Sequence, residues 1–320
     1  MPSQTRRIFG RLNFHKKVSV LVICGIVGPC SIFSALLHTT LLSYYCQEAE
    51  CSIRLWADPI PPEDSHIVSF VRRNVLDAPQ EHVLYPVTKK DLEDVSWKKV
   101  NEWYLILAVI QRTFANLRGG IFVEVGAADG VFLSLTSWLE EEMNWSGLLI
   151  EPRLEAYQEM RRRRKAAAAQ VCVSDANYNK KEKFWQPKET DYIQSTFQKI
   201  AEGKSTLLQY VAEEDQALGK ISSVPCFTLD ALLLAANINN TKRIDFLVIH
   251  TMGGEVEILD TLTRREILML LVHTRQKHKA VLNARKLNLK LYDEVPNGIS
   301  DFYFFINLKV DIVKQKKPQI

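Results

Sequence analysis

Residues 120–152 read GIFVEVGAADGVFLSLTSWLEEEMNWSGLLIEP. Ile121 to Val125 is a short apolar run holding one acid, the pattern of a strand buried in a parallel sheet. Gly126 and Gly130 follow, with Asp129 just before the second. Glycine lets the backbone turn sharply off a strand and lets a ligand approach it closely. Residues 131–142 predict a helix whose N-terminus faces that turn, and residues 147–150 predict a second strand ending in Glu151 and Pro152. In a nucleotide-binding α/β unit an acid at the tip of the second strand, roughly 20 residues past the glycines, holds ribose hydroxyls. Glu124, Gly126, Asp129, Gly130 and Glu151 are therefore the candidate cofactor residues. The dinucleotide pattern Gly-x-Gly-x-x-Gly is absent, so the spacing suits S-adenosylmethionine better. The competing plain reading is an α/β layer whose glycines only turn the chain.

Downstream, residues 154–165 continue as a helix ending in Arg161-Arg162-Arg163-Arg164-Lys165. Cations there complement the helix dipole and face solvent. Residues 170–174 predict a third strand, and Asp175 after it is placed to read an adenine edge. Residues 177–214 are polar and predict an insertion or lid. Ile244 to Ile249 is a buried strand ending in His250-Thr251-Met252-Gly253-Gly254-Glu255. In an open α/β sheet such a strand end lies on the ligand-facing edge. Residues 267–272 predict another strand, and 302–306 with 308–312 an antiparallel closing pair. Upstream, 97–117 reads as a helix with a broad apolar face, and 66–76 as an amphipathic one. The fold class expected is α/β, Rossmann-like, with a largely parallel sheet and antiparallel end strands.

The net charge is +4, yet residues 1–17 carry five cations and no acid, leaving the rest near neutrality. That distribution argues against a nucleic-acid-binding domain. Residues 18–45 contain no Asp, Glu, Lys or Arg, and about 20 apolar residues suffice to cross a bilayer. The flanking charges predict a type II signal anchor, with the main domain on the luminal or extracellular side; a cleaved signal peptide is the alternative. The expected division is a basic cytosolic tail (1–17), a transmembrane segment (18–45), a luminal stalk and lead-in (46–100) and the main domain (101–320). The expected location is the endoplasmic reticulum, Golgi, endosome or plasma membrane. Asn144 and Asn239 begin glycosylation triplets. Four cysteines beyond the span allow two bridges; Cys172 with Cys226 is the favoured long-range pair, and Cys46 with Cys51 the local one. His250, His273 and His278 lack a metal-protease spacing, so no metal is expected.

These stretches carry a resemblance. GIFVEVGAADG…SLTSWLEEEMNWSGLLIEP resembles the opening of the FkbM-type methyltransferase-like domain, and VPCFTLDALL and IDFLVIHTMGGEVEILDTL resemble its later segments. ADPIPPEDSHIVSFVRRNVLDAPQEHVLYPVTKKDL resembles the region before that domain in the arthropod Star family. The Star resemblance implies a type II membrane protein that assists endoplasmic-reticulum-to-Golgi transport of membrane cargo such as growth-factor precursors. The FkbM resemblance implies a fold that elsewhere binds S-adenosylmethionine. The family's strand-end motif reads Asp-x-Glu-Gly followed by Glu. Here His250 and Met252 replace the two acids, while Gly253 and Glu255 remain, which makes Glu255 the candidate catalytic residue. The family's Ser-Asn-Thr/Ser becomes Ser134-Leu135-Thr136, losing an amide. Methionine cannot take a proton and neutral histidine does so only in part. The resemblance thus implies a domain inactive in methyl transfer, or else an active luminal methyltransferase.

Overall fold

The structure is a computed structural model and describes residues 59–93, 103–188, 202–238, 243–263, 266–297, 300–307 and 309. The first helix, α1 (Ser65–Asn74), starts where the Asp64 carboxylate accepts from the His66 and Ile67 amides, filling the cap of the first turn. It buries Ile67 and Val71, four residues apart on one face. There follow β1 (Leu76–Asp77), α2 (Lys89–Glu93), α3 (Trp103–Phe114), β2 (Ile121–Val125), α4 (Ser137–Met143), β3 (Ser146–Ile150), α5 (Leu154–Arg163) and β4 (Ala167–Ala169). Next come β5 (Cys172–Val173), β6 (Lys180–Pro187), β7 (Thr206–Leu207), β8 (Gly219–Phe227), α6 (Leu229–Ala235), β9 (Ile244–Ile249), α7 (Glu255–Thr261), β10 (Ile267–Thr274), α8 (Lys277–Lys286), β11 (Lys290–Val295) and β12 (Asp301–Ile306).

Eight strands form one sheet in the order β1-β4-β3-β2-β9-β10-β12-β11. The four pairs linking β4, β3, β2, β9 and β10 are parallel, and the end pairs β1–β4, β10–β12 and β11–β12 are antiparallel. Central strands β9 and β10 are buried along their whole length, as expected where helices cover both faces. Side chains alternate between those faces. Val123, Val125, Leu247 and Ile249 pack with α1, α6, α7 and α8. Phe122, Phe246 and Val248 pack with α3, α4 and α5. Each such fully buried side chain contributes about 1.5–3 kcal/mol.

From β2 the chain steps to β3 and β4 on one side, then returns to β9 and β10 on the other. The direction of winding therefore reverses between β2 and β9. Open α/β sheets bind ligands at the carboxyl ends of the strands flanking such a reversal. Between the two halves the chain builds a second sheet, β5-β8-β6-β7. Cys172 and Cys226 face each other across β5 and β8 and are disulfide-bonded.

Several expectations change. The third strand of the main sheet is Ala167–Ala169, not residues 170–174, whose Cys172–Val173 part belongs to the second sheet. The helix expected over 131–142 begins only at Ser137, because the Glu124 and Asp129 carboxylates take up backbone amides of the preceding loop. The closing antiparallel pair is β11 with β12; most of 308–312 lies outside the described residues. Arg72, on the exposed side of α1, donates to the Leu234 and Ala235 carbonyls at the end of α6.

The membrane-spanning part of the expected fold is also corrected. Among the described residues no helix is long and apolar enough to cross a membrane. The longest described helix, α3, has 12 residues, about 18 Å at 1.5 Å per residue, against a hydrocarbon core of about 30 Å. The fold is a mixed α/β, methyltransferase-like one, and the single-pass membrane location expected from such a span is corrected with it. Residues 1–58, including the expected basic tail, the 18–45 segment, Cys46 and Cys51, lie outside the described residues, as does Asn239.

Candidate functional site

At the reversal point lies a cavity of about 710 Å³, lined by the ends of β2, β3, β9 and β10 and roofed by the second sheet. Its floor is the turn after β2. Gly126 has φ +85°, and a Cβ there would sit 2.0 Å from the His250 carbonyl oxygen. Only glycine lets β2 leave the sheet this close to the end of β9. The Gly126 and Ala127 amides both donate to the Ile150 carbonyl (2.9 and 3.1 Å), and the His250 amide donates to the Val125 carbonyl (3.0 Å). Three strand ends are thereby fixed around one opening.

Glu151, at the tip of β3, is buried at the cavity edge. One carboxylate oxygen accepts from the Ala128 amide (2.9 Å); the other accepts from the Arg153 amide (3.0 Å) and from Arg153 Nε (2.8 Å). Three bonds leave room on a carboxylate for a further donor. Asp175 also lines the cavity, beneath the second sheet. It accepts from Tyr210 Oη (2.6 Å) and Gln209 and pairs with Lys180. Burial would raise the Asp175 carboxyl, but Lys180 and Tyr210 hold it below its ordinary value. The Tyr210 ring rests on the strand-end glycines: a Cβ on Gly253, whose φ is +144°, would lie 2.6 Å from it.

The other predicted residues point away from the cavity lining. Glu124 is buried under the loop, where its carboxylate accepts from Ser134 Oγ (3.0 Å), the Leu135 amide (2.9 Å) and Thr136 Oγ1. Burial pushes its carboxyl up, against the opposing pull of Arg164 and those donors. Asp129 accepts from the Val131 and Phe132 amides (3.0 and 2.7 Å) and shapes the turn. Gly130 turns its carbonyl to Arg164 Nη1 (2.7 Å). Glu255 accepts from the Gly253 amide (2.7 Å) and braces the 250–254 loop; burial pushes it up as well, against its backbone donors. Of the predicted residues, Gly126, Glu151 and Asp175 line the cavity, whereas Glu124, Asp129, Gly130 and Glu255 hold the loops around it. Asn144 is exposed in a left-handed conformation at the end of α4.

The far end of the cavity is aromatic. The rings of Trp103, His250, His273 and Phe302 meet there, His250 and His273 with centroids 4.7 Å apart and His273 stacked on Phe302 at 4.2 Å. His250 lies deep in the fold yet keeps part of its surface open to the cavity. Burial, then the neighbouring His273, hold His250 well below its ordinary value. Burial, aided by Arg275 and opposed by Ser300, draws His273 down to about 4. Both rings are neutral at pH 7. His273 Nε2 meets Ser300 Oγ at 2.7 Å and Asn297 Nδ2 at 3.4 Å. Ser300 Oγ can donate or accept, and the Asn297 side-chain amide nitrogen donates. Sequence reasoning missed Trp103, His273 and Arg275 as parts of a ligand site. The strand-end rule that selected His250 would have found His273 and Arg275 if applied to β10 as well.

The depressed histidines set a pH dependence. A group held neutral by the fold contributes stability above its unfolded value near 6.5 that is lost as pH falls toward its folded value. For His273 that window runs from about 6.5 down to about 4. Urea unfolding is expected to show stability falling with acidification by up to about 1.4 kcal/mol per pH unit for each such ring. Raised Glu124 and Glu255 act in the opposite sense, losing stability as pH rises above about 4.5. Comparison of wild type with His273→Gln isolates the histidine, and the variant is expected to show the shallower loss on acidification.

Residues 124–293, more than half of the chain, match the Methyltransferase FkbM domain family, and the chain belongs to that family. Among solved structures the chain is similar to a candidate methyltransferase from Thermoplasma acidophilum, at 9% identity over 60% of this chain and 70% of that one, with a TM-score of 0.27. It is also similar to the delta-N METTL16 MTase domain, at 11% identity over 76% of this chain and 95% of that one, with a TM-score of 0.28. Likenesses that distant carry no functional argument. No curated protein matches the chain. The domain is methyltransferase-like, and its fold is compatible with S-adenosylmethionine; among the described residues no group of three or more His, Cys, Asp or Glu side chains could hold a metal.

Proposed function

We propose that the cavity binds S-adenosylmethionine and that the domain transfers its methyl group. One observation carries this reading: at the reversal point the Gly126 backbone lies flat against the His250 carbonyl, and the Glu151 carboxylate stands at the rim of the same cavity. A side chain on residue 126 would collide with the His250 carbonyl and force apart the strand ends that floor the cavity, and Glu151 retains an acceptor position for a ribose hydroxyl. Bound there, the cofactor would supply an electrophilic methyl group on a sulfonium. Replacing Glu151 by glutamine removes a charged acceptor, a change worth about 1.5–3 kcal/mol per bond. Calorimetric titration with S-adenosylhomocysteine is expected to show about tenfold to hundredfold weaker binding by the folded variant. Equal affinities would sink the assignment of Glu151.

A second reading is favoured by the pairing of Glu151 with Arg153 and of Asp175 with Lys180, and by His250 and Met252 standing where the resemblance expects acids. On it the domain is inactive and acts by protein contacts in vesicle-mediated transport of membrane cargo, as the Star resemblance implies. Cargo co-isolated equally with wild type and Gly126→Ala, in protein that binds no S-adenosylhomocysteine, would favour it.

A further inference from the structure

We propose that the methyl acceptor served by this cavity is a carboxylate, which leaves as its methyl ester. The inference rests on the methyl-transfer reading and names its substrate class.

The aromatic end of the cavity is lined by an indole, two imidazoles and a cation. Trp103 is 2% exposed, and among the described residues its Nε1–H has no hydrogen-bond partner. Indole nitrogen is a donor only. His273 is 5% exposed, and among the described residues its Nδ1 has no partner either. Arg275, two residues beyond His273 at the end of β10, lies exposed at the cavity wall, and no described acid pairs with it. From β9, β10, β12 and the start of α3, no Asp or Glu lines this end among the described residues. Asp301 is nearby but turned away, accepting from the Asn297 amide and from Tyr303 Oη.

A buried indole N–H without a partner carries a cost that an acceptor group removes. The Arg275 guanidinium on the wall of the same cavity selects an anion, because arginine matches carboxylates through a planar fork. Among the described residues this end holds no acid, and burial keeps both histidines below their ordinary values, so they are poor bases here. An alcohol or a protonated amine would have to lose a proton before attack; a carboxylate has already lost it. The balance is complete without further reagents. One carboxylate oxygen attacks the methyl carbon, the new O–CH₃ bond forms, and the S–CH₃ bond breaks with its electron pair passing to sulfur. Anion and sulfonium become neutral ester and thioether, and no proton moves. His250 and Met252 in place of acids then remove charges that would repel the substrate.

The test uses the full-length chain saturated with S-adenosylhomocysteine and three probes sharing one ring: phenylacetate, 2-phenylethanol and phenethylamine. Calorimetry is expected to show binding of phenylacetate alone, and about tenfold weaker binding by Arg275→Gln with partial recovery in Arg275→Lys. With methyl-tritiated S-adenosylmethionine, label is expected on phenylacetate and is released as methanol by alkali, as an ester requires. Preference for the alcohol or amine, alkali-stable label, or no phenylacetate binding in protein that does bind S-adenosylhomocysteine would overturn the carboxylate assignment alone. Failure to bind S-adenosylhomocysteine would overturn the methyl-transfer reading and this inference with it.

Discussion

Arg164→Met is expected to cost about 3–5 kcal/mol of folding stability, the loss typical when one partner of a buried ion pair is removed. Arg164 is fully buried. Its Nη1 donates to the Gly130 carbonyl (2.7 Å) and Ser134 Oγ (3.1 Å), and its Nη2 to Thr136 Oγ1 (3.0 Å) and Glu140 (3.2 Å). The guanidinium also lies over the Phe122 ring at 5.5 Å. Ser134 and Thr136 in turn donate to Glu124. One cation thus balances two buried carboxylates and ties the turn after β2 to the start of β4. Methionine matches the volume but takes the donor from one Glu140 oxygen and from the Gly130 carbonyl. Lysine keeps the charge yet cannot span four acceptors in a plane, so Arg164→Lys is expected to recover only part of the loss. Urea melts of the three proteins measure this, and a cost below about 1 kcal/mol for the methionine variant would show the network to be dispensable.

Gly126→Ala is expected to destroy the cavity. A left-handed backbone at an L-residue costs about 1–2 kcal/mol by itself. The larger part is steric, because a Cβ 2.0 Å from the His250 carbonyl oxygen overlaps backbone that cannot rotate away. β2 and β9 must separate at their carboxyl ends, breaking the bond from the His250 amide to the Val125 carbonyl. Ligand binding is expected to vanish together with several kcal/mol of stability. Gly119 makes a useful contrast: it also has positive φ, but its Cβ would meet nothing within 4 Å. Gly119→Ala is expected to cost only the backbone strain and to leave the cavity intact.

The contrast between these glycines shows what the sequence could reveal. β2, β3, β9 and β10 were legible because a strand covered on both faces must be almost wholly apolar. Gly126 and Glu151 were legible because the turn and the acid fall at strand ends. Spacing says nothing, however, about which way a side chain turns. Glu124, Asp129 and Gly130 sit at suggestive intervals, yet each faces the loop or Arg164. Three alanines form β4, and alanine carries no strand preference, so the strand was placed too late. The second sheet is built from KKEKFWQP and GKISSVPCF, whose polar faces lack the alternation that marks a half-buried strand. Arg164 looked like one more solvated cation in a run of five. It ends inside because it falls one residue beyond α5, in extended backbone, and so projects inward where a helical residue would have continued round the surface.

Cofactor binding is tested most directly by a thermal-shift titration of the full-length chain with S-adenosylmethionine. A ligand that binds only the folded state stabilises it by about 2.7 kcal/mol at a hundredfold excess over Kd. A saturable rise in Tm is predicted for wild type and Gly119→Ala, and none for Gly126→Ala. A wild-type chain that unfolds cooperatively but shows no shift up to about millimolar ligand, a Kd weaker than about −4 kcal/mol of binding, would contradict the cofactor site.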